Sequence, residues 1–259
     1  MSPPPLIAVD VGNSRIKFGW FPAGKSESSL PEPERTLQLA GPAPPLDRLA
    51  EWLLEGTARW FLGSVNRPAA TRLVDWLRQH RNGDRVVMLA AGDLPLAVKL
   101  SRPDMVGVDR LLDAVAANRL RLPGRPAVVV DVGSAITVDL ISDEGAFSGG
   151  AILPGIAMSA RALHEFTDLL PQVDVSELEE PPPALGTETE SAIRSGLCWG
   201  AIGAVRQLIE ELSPHEPPQV FLTGGAGPAI ARLLGPSSRY MPHLTLAGIA
   251  LTASWPKGA

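Results

Sequence analysis

Val9-Asp10-Val11-Gly12-Asn13-Ser14-Arg15-Ile16-Lys17 is the stretch that decides how this chain reads. Leu6–Val11 is a short, apolar, β-branched run that stops at Gly12-Asn13, and Ile16–Phe21 resumes the apolar pattern. The pair is expected to form a β-hairpin closed by Asp10–Ser14. The same tetrapeptide returns as Val130-Asp131-Val132-Gly133, again at the end of an apolar run (Ala127–Val132) and again before a second one (Ile136–Ser142). Further on, Phe61–Val65 and Phe221–Gly225 occupy matching places in their halves. A four-residue match can arise by coincidence, but the matching context favours duplication of one α/β domain. The expected division is residues 1–122 and 123–259.

A turn of the form Asp-x-Gly-Asn/Ser after a buried strand suits a phosphate site. Glycine lets the backbone turn sharply and come close to a ligand. Successive N–H groups in such a turn make an anion nest. The carboxylate beside them can hold a cation directly or through water. Two such turns, one per domain, are expected to face each other across a cleft with phosphates and a metal ion between them. This is the phosphate-site logic of the actin, sugar kinase and acetate kinase superfamily. The expected fold class is therefore α/β: two duplicated actin-like ATPase (ribonuclease H-like) domains with a ligand cleft between them. Lys17, on the returning strand, reads either as an exposed strand lysine or as a point charge reaching a terminal phosphate.

Proline and glycine punctuate the remainder at 22–34, 41–45, 121–126, 181–187 and 213–218. Apolar residues at helical spacing mark Leu46–Leu54, Ala69–His80 (Leu73, Trp76 and Leu77 inward), Val108–Leu120, Ala157–Leu169, Thr189–Glu211 and a helix starting at Ala229–Leu234. Arg59–Val65, Arg85–Ala90 and Gln219–Leu222 read as strands. Gly149–Gly155, with three glycines and a proline, reads as a loop between strand and helix: either a backbone path near ligand or a plain tight connection.

Composition narrows the function. The chain has 259 residues, 45% hydrophobic and 20% charged, near globular averages. Its net charge of −5 and lack of a basic run argue against general nucleic-acid binding. The single cysteine, Cys198, cannot form an intrachain disulfide, and the dispersed His80, His164, His215 and His243 give no zinc motif. The first residues, Met1–Leu6, carry no signal-peptide pattern, and no segment approaches ~18 uninterrupted apolar residues. A cytoplasmic protein without membrane attachment is the expectation.

Other nucleotide signatures are missing: there is no G-x-x-x-x-G-K-[ST] loop, and no G-x-G-x-x-G opens a helix after a strand. Thr223–Gly227 is glycine-rich and runs from strand to helix, where it would let adenosine lie against bare backbone. Gly107-Val108-Asp109-Arg110 opens a helix. Asp109 there is either a cap or a general base, beside an Arg110 that binds a carboxylate.

Taken in order, Asp10–Lys17, Gly107–Arg110, Asp131–Asp139, Gly149–Gly155, Thr189–Gly196 and Thr223–Gly225 resemble the type III pantothenate kinase family, from Asp10 to about Ala253. The resemblance implies ATP-dependent phosphorylation of the pantothenate hydroxyl to 4'-phosphopantothenate, the first step toward coenzyme A. It implies that Asp10, Val11, Gly12, Asn13, Ser14, Arg15, Ile16 and Lys17 bind ATP phosphates, with Asp10 near Mg²⁺, and that Gly133 and Ser134 contact ATP. It makes Asp109 the general base. It places pantothenate against Leu100, Gly107, Val108, Asp109, Arg110 and Thr189, and a monovalent cation (K⁺ or NH₄⁺) on Asp131. Family members are dimers with the substrate site near the interface, so a homodimer is expected.

The sequence departs from the family at Leu100-Ser101-Arg102-Pro103, where Tyr-x-Asn-Pro is usual. That bears on the acceptor more than on the phosphate chemistry. Ser14 and Ser134 replace threonines and keep a hydroxyl. Two other readings stay open: a non-catalytic regulatory relative, and a kinase for a different small hydroxy compound. Most of the six tryptophans, and Cys198, read as packing residues, and Glu177–Pro183 as a solvated loop.

Overall fold

The structure is a computed structural model that describes residues 4–23, 30–41, 44–175 and 180–256. Parts of the turn-rich stretches 22–34 and 41–45, part of the Glu177–Pro183 loop, and the first residues of the Met1–Leu6 reading lie outside the described residues. The chain forms two compact units: residues up to Leu120 together with those from His243 onward, and Arg121–Pro242.

In the first unit, β1 (Leu6–Val11) and β2 (Arg15–Phe21) form the expected hairpin, with Asp10 opposite Lys17 and Val11 opposite Ile16. β3 (Arg35–Ala40) pairs with β2. The short helix α1 (Asp47–Trp52) leads to β4 (Arg59–Ser64), which runs parallel to β1. Helix α2 (Arg67–His80) then returns the chain to β5 (Arg85–Met88), parallel to β4. The side chain of Asn66 caps α2 by accepting from the Ala69 N–H at 3.1 Å, and proline sits in the first turn, where its missing N–H costs nothing. Leu73 and Leu77 bury the inner face of α2 against a core of Ile7, Val9, Val11, Phe18, Trp60 and Leu62. Helix α3 (Val108–Leu120) closes this part of the chain.

The second unit repeats the pattern. β6 (Ala127–Val132) is antiparallel to β7 (Ala135–Ile141), which pairs with β8 (Phe147–Pro154). Helices α4 (Ile156–Glu165) and α5 (Thr189–Leu212) follow. Then come β9 (Gln219–Thr223), parallel to β6, α6 (Gly227–Leu234), and β10 (Ser238–Tyr240), parallel to β9. The sheet orders are β3-β2-β1-β4-β5 and β8-β7-β6-β9-β10, one topology used twice. The α/β class and the duplication read from the repeated tetrapeptide are both present in the structure.

Three elements differ from the sequence reading. Gly149–Gly155 is mostly strand β8 rather than a loop. A Cβ at Gly150 would lie 2.1 Å from the Val138 carbonyl oxygen and 2.6 Å from an Asp139 carboxylate oxygen, so glycine is what lets β8 pair with β7. β10 is only a three-residue edge strand, too short to show a period. The last helix, α7 (Leu244–Ser254), has no amphipathic pattern because it is buried on nearly every side. It lies against α3 and β1, and a Cβ at Gly248 would be 2.0 Å from the Leu112 carbonyl oxygen. An all-round apolar helix must be enclosed, and the first unit encloses it. The division at 122/123 therefore differs from the compact units at the C-terminus.

Candidate active site

Strand alternation builds the first part of the site. Ile7, Val9 and Val11 point into the core, which turns Asp10 to the other face at the strand's end. Asp10 is 9% exposed. Lys17 sits directly across the hairpin and brings its ammonium 3.6 Å from the Asp10 carboxylate. The turn is tied down by backbone bonds: Gly12 N–H donates to the Arg15 carbonyl (3.1 Å) and Val65 N–H to the Val11 carbonyl (3.1 Å). The Asn66 amide donates to the Gly12 carbonyl at 3.5 Å. Asn13, Ser14 and Arg15 form the exposed tip.

A glycine brings the second carboxylate close. Gly63 is the partner of Asp10 in β4, and a Cβ there would lie 2.5 Å from the Leu112 side chain of α3. The bare backbone thus lets the first turns of α3 approach the strand beside Asp10. At that end of α3, Asp109 accepts from the Arg110 N–H at 2.8 Å, and its carboxylate folds over Gly107, where a Cβ would be 2.6 Å away. Asp109 is the second residue of α3 rather than its cap, and one of its oxygens accepts from the adjacent N–H of its own first turn.

The electrostatics join these residues. Burial raises the Asp10 carboxyl above its ordinary value, Lys17 opposes the shift, and the charge of Asp109 adds to it. Burial also raises Asp109, against the Arg110 N–H, the Arg110 guanidinium and Lys17. His243, at the start of α7, is lowered by burial and then by Lys17, with Glu32 opposing. His243 escaped the sequence reading because only the packing of α7 brings it within electrostatic reach of Lys17. Leu100 is half-buried, ahead of a short 3₁₀ turn at Pro103–Met105. In that turn, exposed Arg102 forks onto Asp104 at 3.0 and 2.8 Å.

In the second unit, Asp131 stands opposite Thr137 and beside Thr223. Gly133 N–H donates to the Ala135 carbonyl at 3.0 Å, leaving Gly133 and Ser134 exposed at the tip. Gly155 closes on this tip, its N–H bonding the Ser134 carbonyl at 3.1 Å. Gly224 has φ +90°, and a Cβ there would lie 2.4 Å from an Asp131 carboxylate oxygen and from the Val132 carbonyl oxygen. Asp131, Gly133 and Ser134 are thus brought together with Gly224. Thr189 is not part of that turn. It starts α5 and lines an apolar groove of about 450 Å³ with Leu163, Leu170, Ile193 and Leu197.

The donor chemistry fits hard cations. Among the described residues no group of three or more His, Cys, Asp or Glu could hold a metal. Mg²⁺ keeps several waters and takes one or two carboxylates plus phosphate oxygens. Buried, oxygen-only Asp10 matches that pattern, and a cation there would offset the desolvation of its carboxylate. Around Asp131 the carboxylate and the Val132 carbonyl converge on Gly224, an oxygen set suited to a monovalent cation.

A sheet of one order used twice, each copy led by a hairpin with an Asp-Val-Gly turn at its strand end, defines a two-domain α/β protein of the actin-like (ribonuclease H-like) fold class. A Sinorhizobium meliloti protein described as a candidate 2-dehydro-3-deoxygalactonokinase shares the fold, with a TM-score of 0.57, 15% identity, and 97% of this chain and 99% of that one covered. So does a Campylobacter jejuni protein described as a candidate Baf family transcriptional activator, with a TM-score of 0.60, 21% identity, and 95% and 96% covered. Within that class, the chain belongs to the type III pantothenate kinase family, whose profile matches residues 6–211. A type III pantothenate kinase of Rubrobacter xylanophilus is 38% identical over 96% of this chain and 98% of its own length. Among the described residues no helix is long and apolar enough to cross a membrane.

Proposed function

We propose that the chain is an ATP-dependent pantothenate kinase, converting ATP and pantothenate to ADP and 4'-phosphopantothenate, the first step of coenzyme A biosynthesis. The observation that carries the reading is the grouping of Asp10, Lys17 and Asp109 at the end of β1, in a chain of this family.

Phosphoryl transfer spreads charge over the transferred oxygens, so catalysis rests on positioning and cations. Asp109 takes the proton of the pantothenate hydroxyl, and its raised pKa makes it a stronger base than an exposed carboxylate. Lys17 offers its ammonium to the transferred phosphate, and the turn from Val11 through Ile16 supplies backbone N–H groups. Asp10 would hold Mg²⁺ bound to ATP, which neutralises phosphate charge. Asp131 would hold K⁺ or NH₄⁺, with Gly133 and Ser134 against ATP. Leu100, Gly107, Val108 and Thr189 line the acceptor, and Arg110 pairs with its carboxylate. A cytoplasmic homodimer is part of the proposal. What supports it is the set of exposed apolar side chains around α4 and α5: Phe166, Leu169, Leu185 and Trp199.

The test is ADP release from ATP and Mg²⁺ with pantothenate, with and without K⁺ or NH₄⁺. Pantothenate-dependent turnover that needs the monovalent cation is the expected result. Turnover only with another small hydroxy compound would shift the reading to a different acceptor, a reading favoured by Leu100 and by the Arg102–Asp104 pair in place of the family's usual segment. No turnover with any acceptor would leave the regulatory relative.

A further inference from the structure

The Thr223–Gly227 turn is the most glycine-rich connection in the chain, and such a turn is intrinsically loose because glycine has the most freedom to lose on ordering. In the structure it is held from two sides. On one side, Ala226 N–H reaches the Val132 carbonyl at 3.4 Å, and Gly224 lies against Asp131. On the other side stands Tyr240, the chain's sole tyrosine. The Gly224 carbonyl accepts two hydrogen bonds, from Gly227 N–H at 3.2 Å and from the Tyr240 hydroxyl at 3.2 Å. The Tyr240 ring covers Gly227 so closely that a Cβ there would lie 2.5 Å from it. Strand β10 is three residues long, pairs Tyr240 with Leu222, and is continued by a Met241 N–H bond to the Leu222 carbonyl at 2.7 Å. Its effect is to set this ring and hydroxyl over the turn.

We propose that Tyr240 is a positioning residue for nucleotide binding, clamping the Thr223–Gly227 turn through the Gly224 carbonyl so that the nucleotide meets preformed backbone beside Asp131. The inference rests on the kinase reading above and adds a residue to it. Ordering the turn before the ligand arrives removes that cost from binding. Tyr240 makes its hydrogen bond sixteen residues away from Gly224, and the sequence offers no signal for it.

The test compares wild type with Tyr240→Phe, which keeps the ring and removes the hydroxyl. Calorimetry with Mg²⁺-ADP should show Kd raised about 3- to 10-fold, the scale of one hydrogen bond. The KM for ATP should rise by the same factor, with kcat and the KM for pantothenate unchanged and Tm lowered by no more than about 2–4 °C, the share of one hydrogen bond. Gly227→Ala, which displaces the ring, should raise the same constants further. Nucleotide binding by Tyr240→Phe equal to wild type would overturn the inference, as would a uniform loss of kcat, both KM values and Tm, which marks a merely structural role. If wild type binds ADP but phosphorylates no acceptor, the kinase reading fails and the binding comparison still decides the role of Tyr240. If wild type binds no nucleotide, both fall.

Discussion

The two Asp-Val-Gly turns share a sequence, a sheet position and a tie to the strand that follows, yet they are finished in different ways. In the first unit the residue across the hairpin from the aspartate is Lys17, and in the second it is Thr137. In the first, the strand-to-helix turn after β4 is closed by side chains: Asn66 caps α2 and bonds the Gly12 carbonyl. In the second, the corresponding turn after β9 is built of glycines and held by backbone and by one distant side chain: Ala226 N–H bonds Val132, where the first unit has Val65 N–H on Val11, and the Tyr240 hydroxyl bonds the Gly224 carbonyl. One copy sets a lysine against its aspartate; the other sets glycine backbone against its own. Duplication supplied the scaffold, and a few substitutions at equivalent positions divided the labour.

The sharpest way to break this comparison is at Asp109. Asp109→Asn should lower kcat by about 10²- to 10⁴-fold, the usual contribution of a positioned base, while Tm at neutral pH stays at or above wild type. The sign follows from the raised carboxyl. Its folded pKa exceeds the ordinary 3.8, so over the interval between the two values the folded protein holds a proton that the unfolded chain has released. The contribution of this group to stability is fully present below that interval and is lost as pH rises through it. Thermal unfolding against pH should therefore slope less steeply in the variant. A variant with near-normal turnover removes Asp109 from the base role.

Lys17→Thr makes the first hairpin resemble the second and should reduce turnover about 10²-fold, the scale for loss of one preorganised group facing transition-state charge. It also removes the cation that opposes the raised Asp10 carboxyl. Steady-state kinetics would settle it, and a variant as fast as wild type would mean that the lysine is an ordinary strand residue.

Smaller effects are expected at the helix-side turns. Gly224→Ala forces a side chain into φ +90° and against Asp131, which should destabilise the protein by about 1–3 kcal/mol. ATP and monovalent-cation activation should weaken with it. Asn66→Ala removes the cap of α2 and should cost about 1 kcal/mol, with the KM for ATP raised less than in Gly224→Ala because its tie to Gly12 is a long one. Denaturant melts and KM values for the pair would show whether the second turn is the ligand-facing one. Equal effects on ATP would erase the distinction.

Much of this was legible in the sequence. The repeated Val-Asp-Val-Gly block sits at strand ends where period-2 burial and a glycine stop coincide, so local chemistry alone placed both hairpins and pointed to Asp10, Lys17 and Asp131. Helix α2 announced itself because it has one buried face, whereas α3 showed its apolar spacing although it is buried all round from Leu111 to Ala117. What stayed hidden shared a physical cause: it depended on approach between distant segments. Helix α7 has no period because burial surrounds it, β8 carries glycines that suit a strand only where Val138 and Asp139 crowd it, and β10 matters only for the ring it sets on Gly227. The sequence by itself determined the duplicated fold and the chemical types at the turns, because those follow from residue-local preferences. Only the tertiary structure decided that Gly63 lets α3 bring Asp109 beside Asp10, that α7 carries His243 to Lys17, and that Tyr240 holds Gly224, because close backbone approach is a property of pairs of segments and leaves no mark in either one alone.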